Sequence, residues 1–222
     1  MANAIKLLVS AFESSGKSTI TSKLDNVLVF NLDHKEYGFK VPHANLKEYN
    51  GMDTIIEDIS NKLTAYKDKF GKYPSTVVFD TVTQMYSSMQ RYNADKYKGF
   101  DIHTTNNKET LAFNEFIENS LIPSDINVII VAHTQYDEAT SRHIIPATGA
   151  FAKAGSWLSV VNDAIFIEKR SNKLIVHTSG LKYPARSTLD DLETNIPIED
   201  YDLQEHINKL TAVKFEAEEY AL

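Results

Sequence analysis

Residues 10–19 combine a glycine, a lysine and two hydroxyl side chains at a spacing that suits phosphate binding. The sequence Ser-Ala-Phe-Glu-Ser-Ser-Gly-Lys-Ser-Thr follows a mainly apolar run at residues 5–9 and precedes a segment of helical pattern. This is the context of a P-loop, in which backbone N–H groups surround phosphates, the lysine reaches the β and γ oxygens and the following hydroxyl ligates Mg²⁺. The sequence therefore predicts a site for a nucleoside triphosphate.

The P-loop hypothesis gives each loop residue a role. We expect nucleotide contacts from Glu13, Ser14, Ser15, Gly16, Lys17, Ser18 and Thr19. Lys17 serves as the catalytic cation and Ser18 as a magnesium ligand. Ala11 departs from the usual pattern, which has a glycine there, so the turn must avoid a strongly positive φ or accept a methyl group. A Gly-Lys-Ser turn without a ligand is the alternative interpretation.

A carboxylate at the end of a neighbouring buried strand is the second requirement of a P-loop enzyme, because it holds Mg²⁺ through water. The run at residues 76–79 is hydrophobic and ends in Asp80. We predict Asp80 to be this catalytic and metal-binding residue. Capping of the helix that starts near Thr83 is the alternative role for the same side chain.

Hydrolysis of a triphosphate also requires a group that activates the attacking water. Asp33 follows the second apolar run and is our candidate for this base. Glu13 and Glu36 are competing carboxylates, and an aspartate reaches less far than a glutamate.

Polar residues also follow the apolar run at residues 128–131, where the sequence continues Ala-His-Thr-Gln. The ends of strands in an open α/β sheet face the ligand crevice. His133 or Gln135 could therefore contact the γ-phosphate, although a lone histidine at a strand end is more often a hydrogen-bonded surface residue.

Short β-branched runs alternate with amphipathic helical patterns, which is typical of an α/β fold with a mostly parallel central sheet and helices on both faces. The predicted strands comprise residues 5–9, 27–30, 76–79, 128–131, 164–167 and 174–177. The predicted helices lie between Gly51 and Gly71, from about Thr83 to Ala94 and from about Lys108 to Leu121, with a polar segment at residues 95–107.

The net charge of −7 is concentrated in the last part of the chain. Residues 189–222 hold ten acidic side chains against two lysines, a net charge of −8, whereas residues 1–188 carry 21 basic and 20 acidic side chains. We therefore divide the chain into a core, residues 1–188, and a short acidic C-terminal appendage, residues 189–222. Asp202 and Glu205 resemble a capping box at the start of a short helix in this appendage.

The composition excludes several classes of protein. The chain has no cysteine, which excludes disulfide frameworks and thiolate metal sites. No apolar stretch is long enough to span a bilayer, and the first residues lack the features of a secretory signal. We expect a cytoplasmic protein with no membrane partner.

Several segments resemble the bacterial RecA recombinases, and more closely the core-only RecA-like ATPases of bacteriophages, the Sak-type single-strand annealing proteins. The P-loop form Glu-Ser-Ser-Gly-Lys at residues 13–17 is the first of these. The others are residues 29–34, residues 128–131 with Gln135, residues 147–160, and two phrases typical of the phage group at residues 34–43 and 182–187. The resemblance covers roughly residues 4–188. It does not extend to the N-terminal oligomerisation helix of full-length RecA.

The resemblance implies a RecA-like ATPase core that binds ATP and Mg²⁺ between subunits of a homo-oligomer, either a filament or a ring. Asp33 falls on the position of the catalytic glutamate, and Gln135 on the residue that couples ATP to DNA. Lys182 and Arg186 match the stretch from which a basic residue completes the neighbouring subunit's site. Solvated loop charges are the alternative for these two residues.

The resemblance also implies that single-stranded DNA is a partner, that it stimulates hydrolysis and that the protein serves phage recombination or annealing in the host cell cytoplasm. A single-stranded DNA-binding protein is a further implied partner. Cations and aromatic faces bind single strands, and the candidate contacts are Arg142, His143, Phe151 and Lys153. A second, weaker candidate is the 95–107 segment, with Lys96, Tyr97, Lys98 and Phe100.

The sequence is compatible with two other functions. A P-loop small-molecule kinase usually has an arginine-rich lid, and this chain has few arginines, none of them clustered. A module that uses ATP as an assembly switch with little hydrolysis is compatible with Ala11 and Asp33.

Overall fold

The computed structural model describes residues 4–33, 36–146, 149–150 and 157–218. Its strands are β1 (Lys6–Ala11), β2 (Val27–Asn31), β3 (His43–Asn45), β4 (Thr76–Asp80), β5 (Asn127–His133), β6 (Gln135–Asp137), β7 (Arg142–Ile144), β8 (Asp163–Arg170), β9 (Lys173–His177) and β10 (Asn195–Pro197). Its α-helices are α1 (Lys17–Thr21), α2 (Met52–Phe70), α3 (Val82–Lys96), α4 (Phe100–Phe116) and α5 (Leu203–Glu218).

Eight of the described strands form one sheet in the order β10-β9-β8-β1-β5-β4-β2-β3. The strands from β3 to β8 in that order are parallel, and the pairings of β9 with β8 and of β10 with β9 at one edge are antiparallel. β1 is central, and both of its neighbours come much later in the chain. The loop after β1 therefore opens where the ends of several parallel strands meet, which is where open α/β sheets bind ligands.

The sheet separates two hydrophobic cores. On one face, Leu8, Phe30 and Phe79 pack with side chains of α2, α3 and α4. On the other face, Leu7 and Val9 pack with side chains of α1 and α5. Successive residues of a strand point to opposite faces, so a strand that is covered on both sides requires the nearly unbroken apolar run seen in β1. The predicted mostly parallel sheet with helices on both faces is confirmed.

The C-terminal segment contributes to the sheet and to one of its cores. β10 pairs with β9 at the sheet edge, and Leu203, Ile207 and Leu210 of α5 are buried against the face that carries α1. The Asp202 carboxylate accepts hydrogen bonds from the backbone N–H groups of Gln204 and Glu205, as expected of a helix cap. The division of the chain at residue 188 stays a prediction, and the tail packs against the sheet through α5 and extends its edge through β10.

The third predicted helix begins earlier than the sequence indicated. The polar segment at residues 95–107 was expected to be a loop, yet α4 starts at Phe100 and continues through a π-helical turn at Ile117–Leu121. The Asn93 side chain donates to the Asn106 side chain over 2.9 Å, so buried amides join α3 to α4. Within the described ranges, no helix is long and apolar enough to cross a membrane.

Candidate nucleotide site

Lys17 is buried at the start of α1, where the loop that follows β1 ends. Its Nζ donates to the backbone carbonyl of Phe12 over 2.6 Å and lies 3.4 Å from both the Ala11 carbonyl and His133 Nδ1. The Ala11 carbonyl also accepts from the Thr134 N–H at 3.0 Å. Ala11 is a strand residue paired with β5 and β8 and does not adopt a positive φ, so its methyl group is accepted without strain.

Gly16 has a left-handed backbone with φ of 81°. A Cβ at this position would lie 3.0 Å from a methyl carbon of Ile198 and 3.1 Å from one of Leu174. Both the conformation and the space therefore require glycine. The contact with Ile198 also places the C-terminal segment directly against the P-loop.

Ser18 and Asp80 meet across the gap between α1 and the end of β4. The Ser18 hydroxyl donates to the Asp80 Oδ2 over 2.6 Å. A hydroxyl and a carboxylate are hard oxygen ligands, and Mg²⁺ is usually bound through one or two such groups together with phosphate oxygens and water. The pair therefore fits Mg²⁺. Among the described residues no cluster of three or more His, Cys, Asp or Glu side chains could hold a metal without a nucleotide.

The P-loop forms one wall of a cavity of about 330 Å³. Its lining includes all seven predicted nucleotide contacts, from Glu13 to Thr19, and also Asp80, His133, Asp33 and Glu36. The three carboxylates considered for the catalytic base thus lie around one cavity. A larger concavity of about 530 Å³ lies between α2 and β3 and contains none of the P-loop residues.

The two polar residues after β5 differ in position. His133 lines the cavity, and its backbone N–H donates to the Thr83 hydroxyl over 3.0 Å. Gln135 is exposed at the start of the β6–β7 hairpin, opposite Ile144, and does not line the cavity. Contact with a γ-phosphate stays a prediction, and of these two side chains the cavity is lined by His133.

Comparison with known proteins agrees with this geometry. Residues 3–156 match the model of the AAA domain family AAA_24. This chain belongs to that family. It is therefore an AAA-type P-loop ATPase domain, and such a domain implies nucleotide binding. No curated protein matches the chain.

One solved structure similar to the AAA domain is a prototypical ATPase from the type III secretion system of pathogenic bacteria. The identity is 10%, the TM-score is 0.49, and the match covers 76% of this chain. The chain spans about half of that ATPase, since the match covers 52% of the other chain.

Residues 37–39 also line the nucleotide cavity, which was not among our predictions. Tyr37, Gly38 and Phe39 face the P-loop across it. Burial, and secondarily the negative charge of Asp80, raises the pKa of the Tyr37 phenol above its ordinary value. Tyr37 is therefore a neutral hydroxyl beside the Ser18–Asp80 pair. The aromatic residues after Asp33 are the feature of the sequence that could have indicated this part of the cavity.

The segment with Lys182 and Arg186 does not line the nucleotide cavity of its own subunit. Both side chains are exposed, and neither lines the cavity. The Lys182 carbonyl accepts from the His143 N–H over 2.8 Å, and Arg186 exchanges two backbone hydrogen bonds of 2.9 Å with Ala164. The Arg186 guanidinium donates to the Val161 carbonyl. The backbone of this segment is thus fixed, the Lys182 side chain is exposed, and the exposed Arg186 side chain is held by the Val161 carbonyl.

The predicted DNA contacts are only partly described. Arg142 is exposed on the β6–β7 hairpin, where Tyr136 is 51% exposed. His143 instead belongs to an aromatic cluster, with its ring 5.5 Å from that of Tyr183 and 5.2 Å from that of Phe12. Burial lowers the pKa of His143, so this ring favours the neutral form. Phe151 and Lys153 lie outside the described residues.

The second DNA candidate lies at the junction of α3 and α4. Phe100 is 80% exposed, and Lys96 and Lys98 are exposed beside it. The Lys96 ammonium lies 5.1 Å from the centre of the Tyr92 ring and 5.6 Å from that of Tyr97. This surface combines cations with aromatic faces, the two groups that single strands require.

Proposed function

We propose that this AAA domain is an ATP-hydrolysing, single-stranded DNA-binding protein that acts in recombination or annealing, like the Sak-type phage ATPases that its sequence resembles. The observation that carries the proposal is the junction of Lys17, Ser18 and Asp80 in one cavity, with the Ser18 hydroxyl 2.6 Å from the Asp80 carboxylate. These are the groups that a P-loop enzyme uses to bind and polarise a triphosphate.

Each residue of the cavity has a distinct role in this proposal. The Lys17 ammonium leaves the Phe12 carbonyl to neutralise charge on the β and γ oxygens. Ser18 and Asp80 hold Mg²⁺, which neutralises the same oxygens when it is bound. His133 contacts the γ-phosphate. Asp33 orients the attacking water, with Glu13 and Glu36 as the other carboxylates within the cavity.

The site is completed by a second subunit in this proposal. Positive charge near the transferring phosphate accelerates hydrolysis when it comes from a neighbour, as an arginine finger does. Arg186 and Lys182 are exposed, lie outside their own cavity and have fixed backbones. These properties suit a residue that acts in trans within a filament or ring.

Single-stranded DNA is the proposed polymer because exposed cations occur together with exposed rings. Arg142 and Tyr136 are both exposed on the β6–β7 hairpin, and Lys98 and Phe100 are both exposed where α3 gives way to α4. Phosphates bind the cations and bases stack on the rings without requiring a particular sequence. The net charge of residues 1–188, which is +1, allows these basic areas to act.

ATP turnover with and without single-stranded DNA tests the proposal. We expect turnover that rises when the DNA is added, with the Lys17→Ala variant as the measure of contaminating activity. Nucleotide binding without turnover would favour the assembly switch. Turnover that ignores DNA, together with phosphate transfer to a small molecule, would favour a kinase.

Mixing two inactive variants tests action between subunits. The Lys17→Ala subunit has a defective P-loop and an intact Arg186. The Arg186→Ala subunit has an intact P-loop and lacks the arginine. Mixed interfaces join an intact P-loop to an intact arginine, so turnover should recover. Absence of recovery at every ratio, with co-assembly confirmed by a tagged subunit, contradicts action in trans.

A further inference from the structure

A buried polar cluster lies outside the nucleotide cavity, where the start of β8, the segment at residues 186–189 and helix α5 meet. Asp163 is the first residue of β8 and is fully buried, and Tyr201 and His206 of the C-terminal segment are also buried. A buried carboxylate is costly unless hydrogen bonds satisfy it. The partners of Asp163 therefore define what it holds in place.

The first set of partners comes from the residues directly after Arg186. The Thr188 backbone N–H and hydroxyl each donate to Asp163 Oδ1 over 2.9 Å. The Ser187 hydroxyl donates to Oδ2 over 2.5 Å. Because the next residue of β8, Ala164, pairs with the Arg186 backbone, Asp163 anchors the backbone that carries the arginine.

The second set of partners comes from the tail. His206 Nε2 lies 3.1 Å from Asp163 Oδ2, and the Tyr201 hydroxyl lies 2.5 Å from His206 Nδ1. A neutral His206 with its proton on Nε2 donates to Asp163 and accepts from Tyr201, so that both ring nitrogens are satisfied. Helix α5 is thereby joined to the arginine segment through one carboxylate.

The carboxylate of Asp163 is ionised in this arrangement. Burial by itself would raise its pKa, but the hydrogen bonds from His206, Ser187 and Thr188 outweigh burial and lower the pKa below its ordinary value. An ionised carboxylate accepts several hydrogen bonds at once. It can therefore bind the arginine segment and the tail at the same time.

We propose that Asp163 and His206 are positioning residues for Arg186, through which helix α5 holds the arginine segment in the geometry that serves the neighbouring subunit's nucleotide site. This inference rests on the proposed function, because it gives Arg186 its role in trans. It adds that a subunit needs its acidic tail to present Arg186 to the neighbouring subunit. The same subunit does not need the tail for its own P-loop to bind nucleotide.

The test replaces His206 by leucine, which removes both ring contacts, and by glutamine, whose amide can still donate to Asp163. We expect His206→Leu to lose between about tenfold and about a hundredfold in turnover, because a small misplacement of a reacting group has an effect of that size. Its affinity for nucleotide should stay unchanged. His206→Gln should recover part of the turnover. Asp58→Asn is the matched control, since Asp58 of α2 is another buried carboxylate, which accepts from the Lys47 backbone N–H and the Lys62 ammonium.

Subunit mixing distinguishes a positioning role from a general loss of stability. Subunits with His206→Leu should regain turnover when mixed with Lys17→Ala, which supplies an intact arginine side. They should not regain it when mixed with Arg186→Ala, because both partners are then defective on the same side. Recovery with both partners, or with neither, overturns the inference.

Two further results separate this inference from the proposed function. If His206→Leu does not fold, the double variant Ser187→Ala/Thr188→Val tests the same link, because it leaves the contact between His206 and Asp163 intact. Normal turnover of that variant, with Arg186→Ala inactive, overturns the inference and leaves the trans role standing. Full turnover of Arg186→Ala overturns the trans role itself.

Discussion

The Ser18 hydroxyl donates a hydrogen bond of 2.6 Å to the Asp80 carboxylate, joining residues that lie 62 positions apart in the chain. Parallel pairing of β4 with β5, and of β5 with the central β1, brings the end of β4 to the P-loop side of the sheet. The contact therefore depends on strand order, and it unites the two halves of the P-loop pattern in one cavity.

Lys17→Ala should abolish ATP turnover, with a loss greater than about a hundredfold, because it removes a preorganised charge from the phosphates. The measurement is ATP hydrolysis together with equilibrium binding of a fluorescent ATP analogue. Circular dichroism must show an unchanged fold, since Lys17 is buried and bonded to Phe12. Wild-type affinity and turnover would falsify the P-loop assignment.

Asp80→Asn should mainly impair Mg²⁺-dependent turnover. The amide keeps the size of the side chain but loses the charge that a hard cation prefers. We expect turnover to require a higher Mg²⁺ concentration, which a magnesium titration at saturating ATP measures. Asp58 is a carboxylate that does not line the P-loop cavity. In the same titration, the Mg²⁺ dependence of Asp58→Asn should match that of the unsubstituted protein.

His133→Ala should reduce turnover more than Gln135→Ala does. His133 lines the cavity 3.4 Å from the Lys17 ammonium, whereas Gln135 is exposed on the hairpin. Turnover without DNA is the measurement for this comparison. A larger loss in Gln135→Ala would mean that the hairpin moves into the site during the reaction.

Stability should fall in acid partly through Asp163. Its pKa in the folded state lies below the ordinary value of 3.8, so the unfolded chain binds its proton first as the pH decreases. The contribution of Asp163 is therefore fully present above about pH 5 and is lost as the pH falls through the ordinary pKa towards the folded one. Urea unfolding between pH 6 and pH 3 measures this loss. Asp163→Asn should show a shallower decline in unfolding free energy over that range.

Removal of the residues after Lys214 should strengthen binding of single-stranded DNA and make it more dependent on salt. The deleted part contains Glu216, Glu218 and Glu219. The shortened chain keeps the Lys214 contact to the Ala4 carbonyl and the buried part of α5. Repulsion of DNA by the tail acts over a Debye length of about 30 Å at 0.01 M salt and about 10 Å at 0.1 M. DNA affinity at these two salt concentrations is the measurement. Unchanged or weaker binding at low salt, by a folded protein, refutes electrostatic competition by the tail.

The sheet strands and the core of the site could be predicted because their signals are local. Strand β1 and the P-loop are adjacent in sequence, and Asp80 ends a clear apolar run. Strands β3 and β10 and the hairpin strands have three residues each, too few for a periodic pattern to be recognised.

Other features depend on tertiary contacts that the sequence pattern does not contain. The first turns of α4 are polar, and the buried contact of Asn106 with Asn93 helps to stabilise them. The packing of α5 depends on a histidine that meets a carboxylate 43 positions away. Neither partner carries a mark in the sequence that identifies the other, so the sequence predicts a short helix in the tail but not the residues that anchor it.

The central position of β1 has a consequence for the order of events during synthesis. Lys6 lies opposite Val128, and Leu7 lies opposite Asp163. Strand β1 and the P-loop therefore leave the ribosome long before β5 and β8, the strands that flank β1. The face of the sheet that carries α1 is fully covered only when α5 follows. Pairing between distant segments forms slowly. The nascent chain passes through a period in which the central strand β1 has no partner, when a chaperone that binds exposed hydrophobic segments would have access to it.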